Sequence, residues 1–154
     1  MYRHILVPIE GSATAEVGLS EAIRLAADQK ARLRVLYVVN DLPLLLQLAS
    51  VSSIETSMQK LRDDGQRLLV AATKLASDAD VHAEPVLREV TQGRIADVVV
   101  EEARNGACDL IVMGTHGRRG VSRVALGSDA ETVARTSPVP VLLVRLNTAG
   151  EPHL

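Results

Sequence analysis

Between Gly114 and Ser128 the chain reads Gly114-Thr115-His116-Gly117-Arg118-Arg119-Gly120-Val121-Ser122-Arg123-Val124-Ala125-Leu126-Gly127-Ser128. Four glycines fall within 14 residues, and glycine lets backbone N–H groups turn outward and a ligand come close. The segment runs into a helical pattern, and the free N–H groups of a helix N-terminus attract anions. Arg118, Arg119 and Arg123 add cations. This chemistry suits phosphate. The loop is not a Walker loop, because no Gly-Lys-Ser/Thr follows, and its Gly-x-x-Gly-x-x-Gly spacing is not the dinucleotide fingerprint. A purely structural account competes with the phosphate reading. Ser128-Asp129-Ala130-Glu131 has the form of a capping box, with Ser128 at the N-cap and Glu131 three residues on.

Other reactive residue types have simpler roles. Cys108 precedes an apolar strand and is expected to be a small buried hydrophobe. Ser12 is expected to cap a helix, and His116 to be a solvated loop histidine. Asp63-Asp64 and Glu101-Glu102 are expected on solvated helix faces, the second beside Arg104. His4, His82, His116 and His153 match no metal spacing, and one cysteine excludes an internal disulfide and a cysteine zinc cluster. No Ser/His/Asp set or paired carboxylates suggest catalysis.

The elements that must position the glycine loop alternate along the chain. Strand-like runs occur at His4–Ile9, Leu33–Val39, His82–Glu89, Asp109–Met113 and Val139–Leu146. Helical periodicity occurs at Ala13–Gln29, Ser52–Ser77, Gly93–Asn105 and Ser128–Thr136. In the longest helix Ile54, Met58, Leu61, Leu68, Ala72 and Leu75 form the apolar stripe, and Gly65 is expected to weaken or bend it. Pro85 marks the third strand as an edge. Alternating strands and helices predict an α/β fold, a three-layer α/β/α sandwich around a five-stranded parallel sheet in the order 3-2-1-4-5. Such a sheet binds ligands beyond the carboxyl ends of its strands, where the winding reverses. Here that point lies between the first and fourth strands, at Glu10–Ser12 and the glycine loop.

With 154 residues, the sequence supports one domain, residues 1–147, followed by a short tail at 148–154. It is 47% hydrophobic and 23% charged, too apolar for disorder. Its formal net charge of -2 offers no attraction to a phosphate backbone. Tyr2 and Tyr37 are the only aromatics, which argues against base-stacking platforms and hence nucleic-acid partners. No run approaches the ~18 apolar residues of a membrane span. No signal-peptide core opens the chain, so a soluble cytoplasmic protein is expected. Two apolar stretches suggest packing. Asp41–Ala49 carries Leu42, Leu44, Leu45, Leu46 and Leu48, and Val139–Leu146 forms an edge inviting homodimerisation.

The chain resembles the universal stress protein family over nearly its whole length. Ile5-Leu6-Val7-Pro8-Ile9-Glu10-Gly11-Ser12 is similar to the family's first strand and turn, Asp109–Gly117 to its fourth strand, and Ser137–Val144 to its close. Gly114, Gly117, Gly127 and Ser128 match the Gly-x2-Gly-x9-Gly-Ser/Thr signature of the ATP-binding branch. The resemblance implies the Rossmann-like fold of the adenine nucleotide alpha hydrolases, a homodimer joined through the last strand, and an ATP site. Pro8 and Glu10 would meet the nucleoside, and Val38 would hold adenine. Met113 and Gly114 would flank ribose and phosphates. Gly117, Gly127 and Ser128 would bind phosphate, with Arg118 and Arg119 as neighbours.

Two positions depart from the family pattern. Glu10 stands where Asp is usual, and Asp129 follows the signature serine where an apolar residue is common. At ~6 Å and an effective dielectric near 20, a carboxylate and a phosphate charge repel by roughly 2.8 kcal/mol, about a hundredfold in affinity. A Mg²⁺ ion bridging Asp129 and the phosphates would cancel this, and so would the arginines. The expected function is ATP-dependent regulation or binding of a protein partner, without catalysis. The alternatives are a nucleotide-independent dimeric interaction protein whose phosphate site is blocked by Asp129, and a slow ATPase.

Overall fold

The computed structural model describes residues 1–40, 47, 50–116 and 126–146. β1 (His4–Ile9) leads into α1 (Ala13–Gln29) and β2 (Arg32–Asn40). Then follow α2 (Val51–Asp78), β3 (Ala83–Val90), α3 (Ile95–Asn105), β4 (Leu110–Gly114), α4 (Ser128–Thr136) and β5 (Val141–Val144). The strands form one parallel sheet in the order β3-β2-β1-β4-β5, as the alternation of elements predicts. β3, with Pro85, lies at one edge.

Parallel strands covered on both faces must be apolar throughout. Ile5, Val7, Ile9, Leu33, Val35 and Tyr37 pack under α1 and α2. Leu6, Leu36, Ile111 and Met113 alternate with them and pack under α3 and α4. The Ser12 hydroxyl caps α1 by accepting the Ala15 N–H at 3.2 Å, as expected. Cys108 is buried, and burial pushes its thiol up to about 11.

Several sequence expectations need correction. Leu75 is 54% exposed, and Leu69 and Ala76 complete the buried stripe of α2 with Met58 and Ala72. Gly65 sits inside an unbroken α2, where a Cβ would lie 2.5 Å from Cδ1 of Tyr37. It is the seat for the Tyr37 ring. α3 begins at Ile95, two residues later than its periodicity suggests, because Gly93 holds a φ of +113°. The last strand is narrower than Val139–Leu146. The Pro140 carbonyl accepts the Ile111 N–H at 3.0 Å, but the regular ladder covers only Val141–Val144.

Glu102 is the largest surprise. It is 3% exposed, although a Glu-Glu pair on a helix reads as solvated. Its Oε1 accepts from Arg34 Nε at 2.8 Å and Nη2 at 2.6 Å, and its Oε2 accepts from Arg88 Nη1 at 2.6 Å. Burial alone would lower the Arg34 guanidinium, but the hydrogen bonds and charge of Glu102, with Glu84 behind it, hold it above its ordinary value. Gly106 makes this possible, since a Cβ there would lie 2.7 Å from Cδ of Arg34.

Candidate functional site

β1 and β4 pair at only two positions, Ile5↔Leu110 and Leu6↔Ile111. Pro8 has no N–H to extend that ladder, and the strands part at their carboxyl ends. β1 is paired with β2 as far as Ile9↔Tyr37, while β2 runs on to Asn40 along β3. Val38, Val39 and Asn40, at the end of β2, line the gap. The result is a cleft of about 410 Å³ at the point where the winding reverses.

This cleft brings together Pro8, Glu10, Val38, Met113, Gly114, Gly127, Ser128 and Asp129 from four separate stretches of the chain. Gly117, Arg118, Arg119 and Arg123 lie outside the described residues, as do most of the leucine-rich segment and the tail. Leu36, Val38, Ile95, Val99 and Met113 give one side an apolar lining. Ser12 donates to Glu10 Oε1 at 2.6 Å while capping α1, so the cap also orients the carboxylate.

Gly114 is required first by packing. A Cβ there would lie 2.7 Å from Cγ2 of Thr14 and 2.9 Å from its backbone C and O. The first turn of α1 thus closes against the end of β4. Sequence reasoning gave Thr115 no role, yet it is the junction of the site. It is 4% exposed; its N–H donates to the Val144 carbonyl at 3.0 Å, and its carbonyl accepts the Gly127 N–H at 2.8 Å. Its hydroxyl lies 3.0 Å from Nδ1 of His116, which lines the cleft and is half-buried rather than fully solvated. A buried threonine beside glycines was the available signal.

The capping-box expectation is corrected. Gly127, not Ser128, is the N-cap of α4, and it offers no side-chain cap. Ser128 is already helical and exposed, and Glu131 pairs with Arg135 at 2.5 Å. With no cap from a described side chain, the first turn of α4 stands in the cleft wall, where Gly127, Ser128, Asp129 and Ala130 all line it. Among the described residues no group of three or more His, Cys, Asp or Glu could hold a metal ion. A Mg²⁺ ion at Asp129 would need a ligand's phosphates for most of its coordination.

A parallel sheet reversing at a cleft between a strand end and a helix start defines a doubly wound α/β domain, with the cleft where such sheets hold ligands. The model of the universal stress protein family matches residues 1–145, and the chain belongs to that family. Universal stress protein MJ0531 of Methanocaldococcus jannaschii is 34% identical over 145 residues, covering 94% of this chain and 83% of the relative. A solved family member from Burkholderia pseudomallei is 33% identical, with a TM-score of 0.75 over 92% of this chain and 95% of its own. The solved protein MJ0577 superimposes with a TM-score of 0.85 over 97% of this chain and 99% of its own, at 23% identity. Two further solved members, one in complex with cAMP and an Arabidopsis thaliana protein with AMP bound, share the fold with TM-scores of 0.66 and 0.68. They cover 94% and 97% of this chain, and it covers 97% and 95% of theirs, at 23% and 15% identity. Among the described residues no helix is long and apolar enough to cross a membrane.

Proposed function

We propose that this stress-response protein binds an adenine nucleotide in the cleft between β1 and β4, and that occupancy regulates the surface it offers to a protein partner. ATP is the ligand implied by the glycine signature; the cAMP and AMP complexes of related proteins support an adenine nucleotide more generally. The observation that carries the reading is the convergence of Pro8, Glu10, Val38, Met113, Gly114, Gly127 and Ser128 on one cleft. Adenine would lie against Val38 at the end of β2. The phosphates would lie towards Gly127 and Ser128. The output is binding, not turnover, and its setting is the cytoplasm.

Calorimetric titration with ATP, with and without Mg²⁺, tests the reading on protein shown to carry no co-purified nucleotide. Micromolar binding is expected. No heat and no displacement at millimolar ATP, AMP or cAMP would sink it.

The proposal includes a homodimer through the last strand. Leu142 and Leu146 are 37% and 43% exposed along this edge. Sedimentation showing only monomer at tens of micromolar protein would remove that part. Asp129 favours a second reading, a nucleotide-independent dimeric interaction protein, because its negative charge lines the same cleft wall as Gly127 and Ser128. Dimerisation without any nucleotide affinity would select it.

A further inference from the structure

We infer that Asp129 makes the cleft a charge filter, favouring adenosine and its monophosphates over the triphosphate when no divalent cation is present. The inference rests on the nucleotide reading above and concerns which nucleotide the cleft accepts. The first turn of α4 is a source of attraction for anions, since the N–H groups of Ser128, Asp129 and Ala130 have no acceptor within the helix. That attraction amounts to roughly half a unit of positive charge. Asp129, half-buried in the same turn and lining the same cleft, sets a full negative charge against it.

The other acidic residue of this turn behaves differently. Glu131 is paired with Arg135 and does not line the cleft. Asp129 has no ion-pair partner among the described residues. Among the described residues of the lining, His116 is the one basic side chain. Each added phosphate therefore meets the repulsion of Asp129, while the nucleoside end meets apolar walls that ignore charge. Partial exposure of Asp129 screens the effect, to about tenfold between monophosphate and triphosphate.

Calorimetry in EDTA with adenosine, AMP and ATP provides the test. The intact protein should bind ATP about tenfold more weakly than AMP. Asp129→Asn should strengthen ATP binding about tenfold and leave adenosine unchanged, with folding verified by circular dichroism. Raising the salt concentration should narrow the AMP–ATP gap in the intact protein, a readout independent of any variant. The inference is overturned if ATP binds more tightly than AMP in EDTA, as dominance by the loop arginines would produce. It is also overturned if the gap ignores salt, or if Asp129→Asn shifts all three ligands equally. Failure of adenosine, AMP and ATP alike would instead defeat the nucleotide reading, and the inference with it.

Discussion

The two ends of the sheet handle charge in opposite ways. Towards the amino end of β2, Glu102 is buried between Arg34 and Arg88, the second reaching it from the carboxyl half of β3, and Glu84 and Glu101 pair with the same two guanidiniums. Both Glu102 oxygens accept hydrogen bonds, and Gly106 gives Arg34 room to lie there. At the carboxyl ends, Asp129 lines an open cleft at a helix start that no described side chain caps. Charge that is fully partnered ties elements together. Charge set in a cleft wall selects what enters it. The amino end should therefore govern stability with little effect on ligands, and the carboxyl end the reverse.

Removing the central carboxylate tests the first half most severely. Glu102→Ala leaves two guanidiniums facing each other without their shared partner. Breaking a buried pair costs about 3–5 kcal/mol, and the partial exposure of Arg34 and Arg88, 18% and 32%, moves the expectation to about 2–3 kcal/mol. Urea denaturation measures it. Nucleotide affinity of the folded fraction should be unchanged, and a large loss of affinity would mean that the two ends are coupled.

Gly114 is where the comparison is least clean, because packing and site meet there. An alanine Cβ at 2.7–2.9 Å from Thr14, mostly from its backbone, has no flexible neighbour to displace. Gly114→Ala should cost about 2 kcal/mol in thermal denaturation by overpacking. It should also weaken nucleotide binding, since any relief moves α1 or the end of β4. Unchanged stability would show that the α1–β4 contact is looser than these distances imply.

How much of this was legible in the sequence follows from the range of the interactions. Strand and helix order was legible because parallel strands must be apolar and surface helices must be striped. The Ser12 cap was local, and so was the glycine spacing that leads to the cleft. Glu102 was not legible, because its partners lie on two strands, 68 and 14 residues away. Gly65 read as a defect because the ring it accommodates belongs to β2. Ser128 looked like a cap because the local pattern fits. The Thr115 carbonyl, which binds the Gly127 N–H and so helps fix where the helix starts, comes from the end of another strand.

His4 sharpens the amino-end side of the comparison with a smaller effect. It is 5% exposed, and neither ring nitrogen has a hydrogen-bond partner among the described residues. Burial first, then the charges of Arg32 and Arg34, lower its affinity for a proton, outweighing Gly106 and Glu84. The unfolded chain therefore binds the proton more readily, and stability is lost as pH falls below the ordinary histidine value of about 6.5. The slope is at most about 1.4 kcal/mol per pH unit from this group. Urea denaturation at pH 7.5 and 5.5 should show the loss, and His4→Leu should reduce it. An equal loss in that variant would assign the slope to other groups.

The smallest expected effect separates two acidic neighbours on the first turn of α4. Glu131 and Arg135 are an i,i+4 pair, 54% and 74% exposed, and such pairs contribute about 0.3–0.5 kcal/mol. Glu131→Gln should lower stability by about that amount in urea denaturation and leave ATP affinity in EDTA untouched. The control matters because Glu131 carries the same charge two residues from Asp129, outside the cleft lining. If Glu131→Gln strengthens ATP binding as much as Asp129→Asn, the repulsion comes from the general field of the helix start. If only Asp129→Asn does so, position in the cleft wall decides, and the contrast between partnered and cleft-lining charge extends to two residues of a single helical turn.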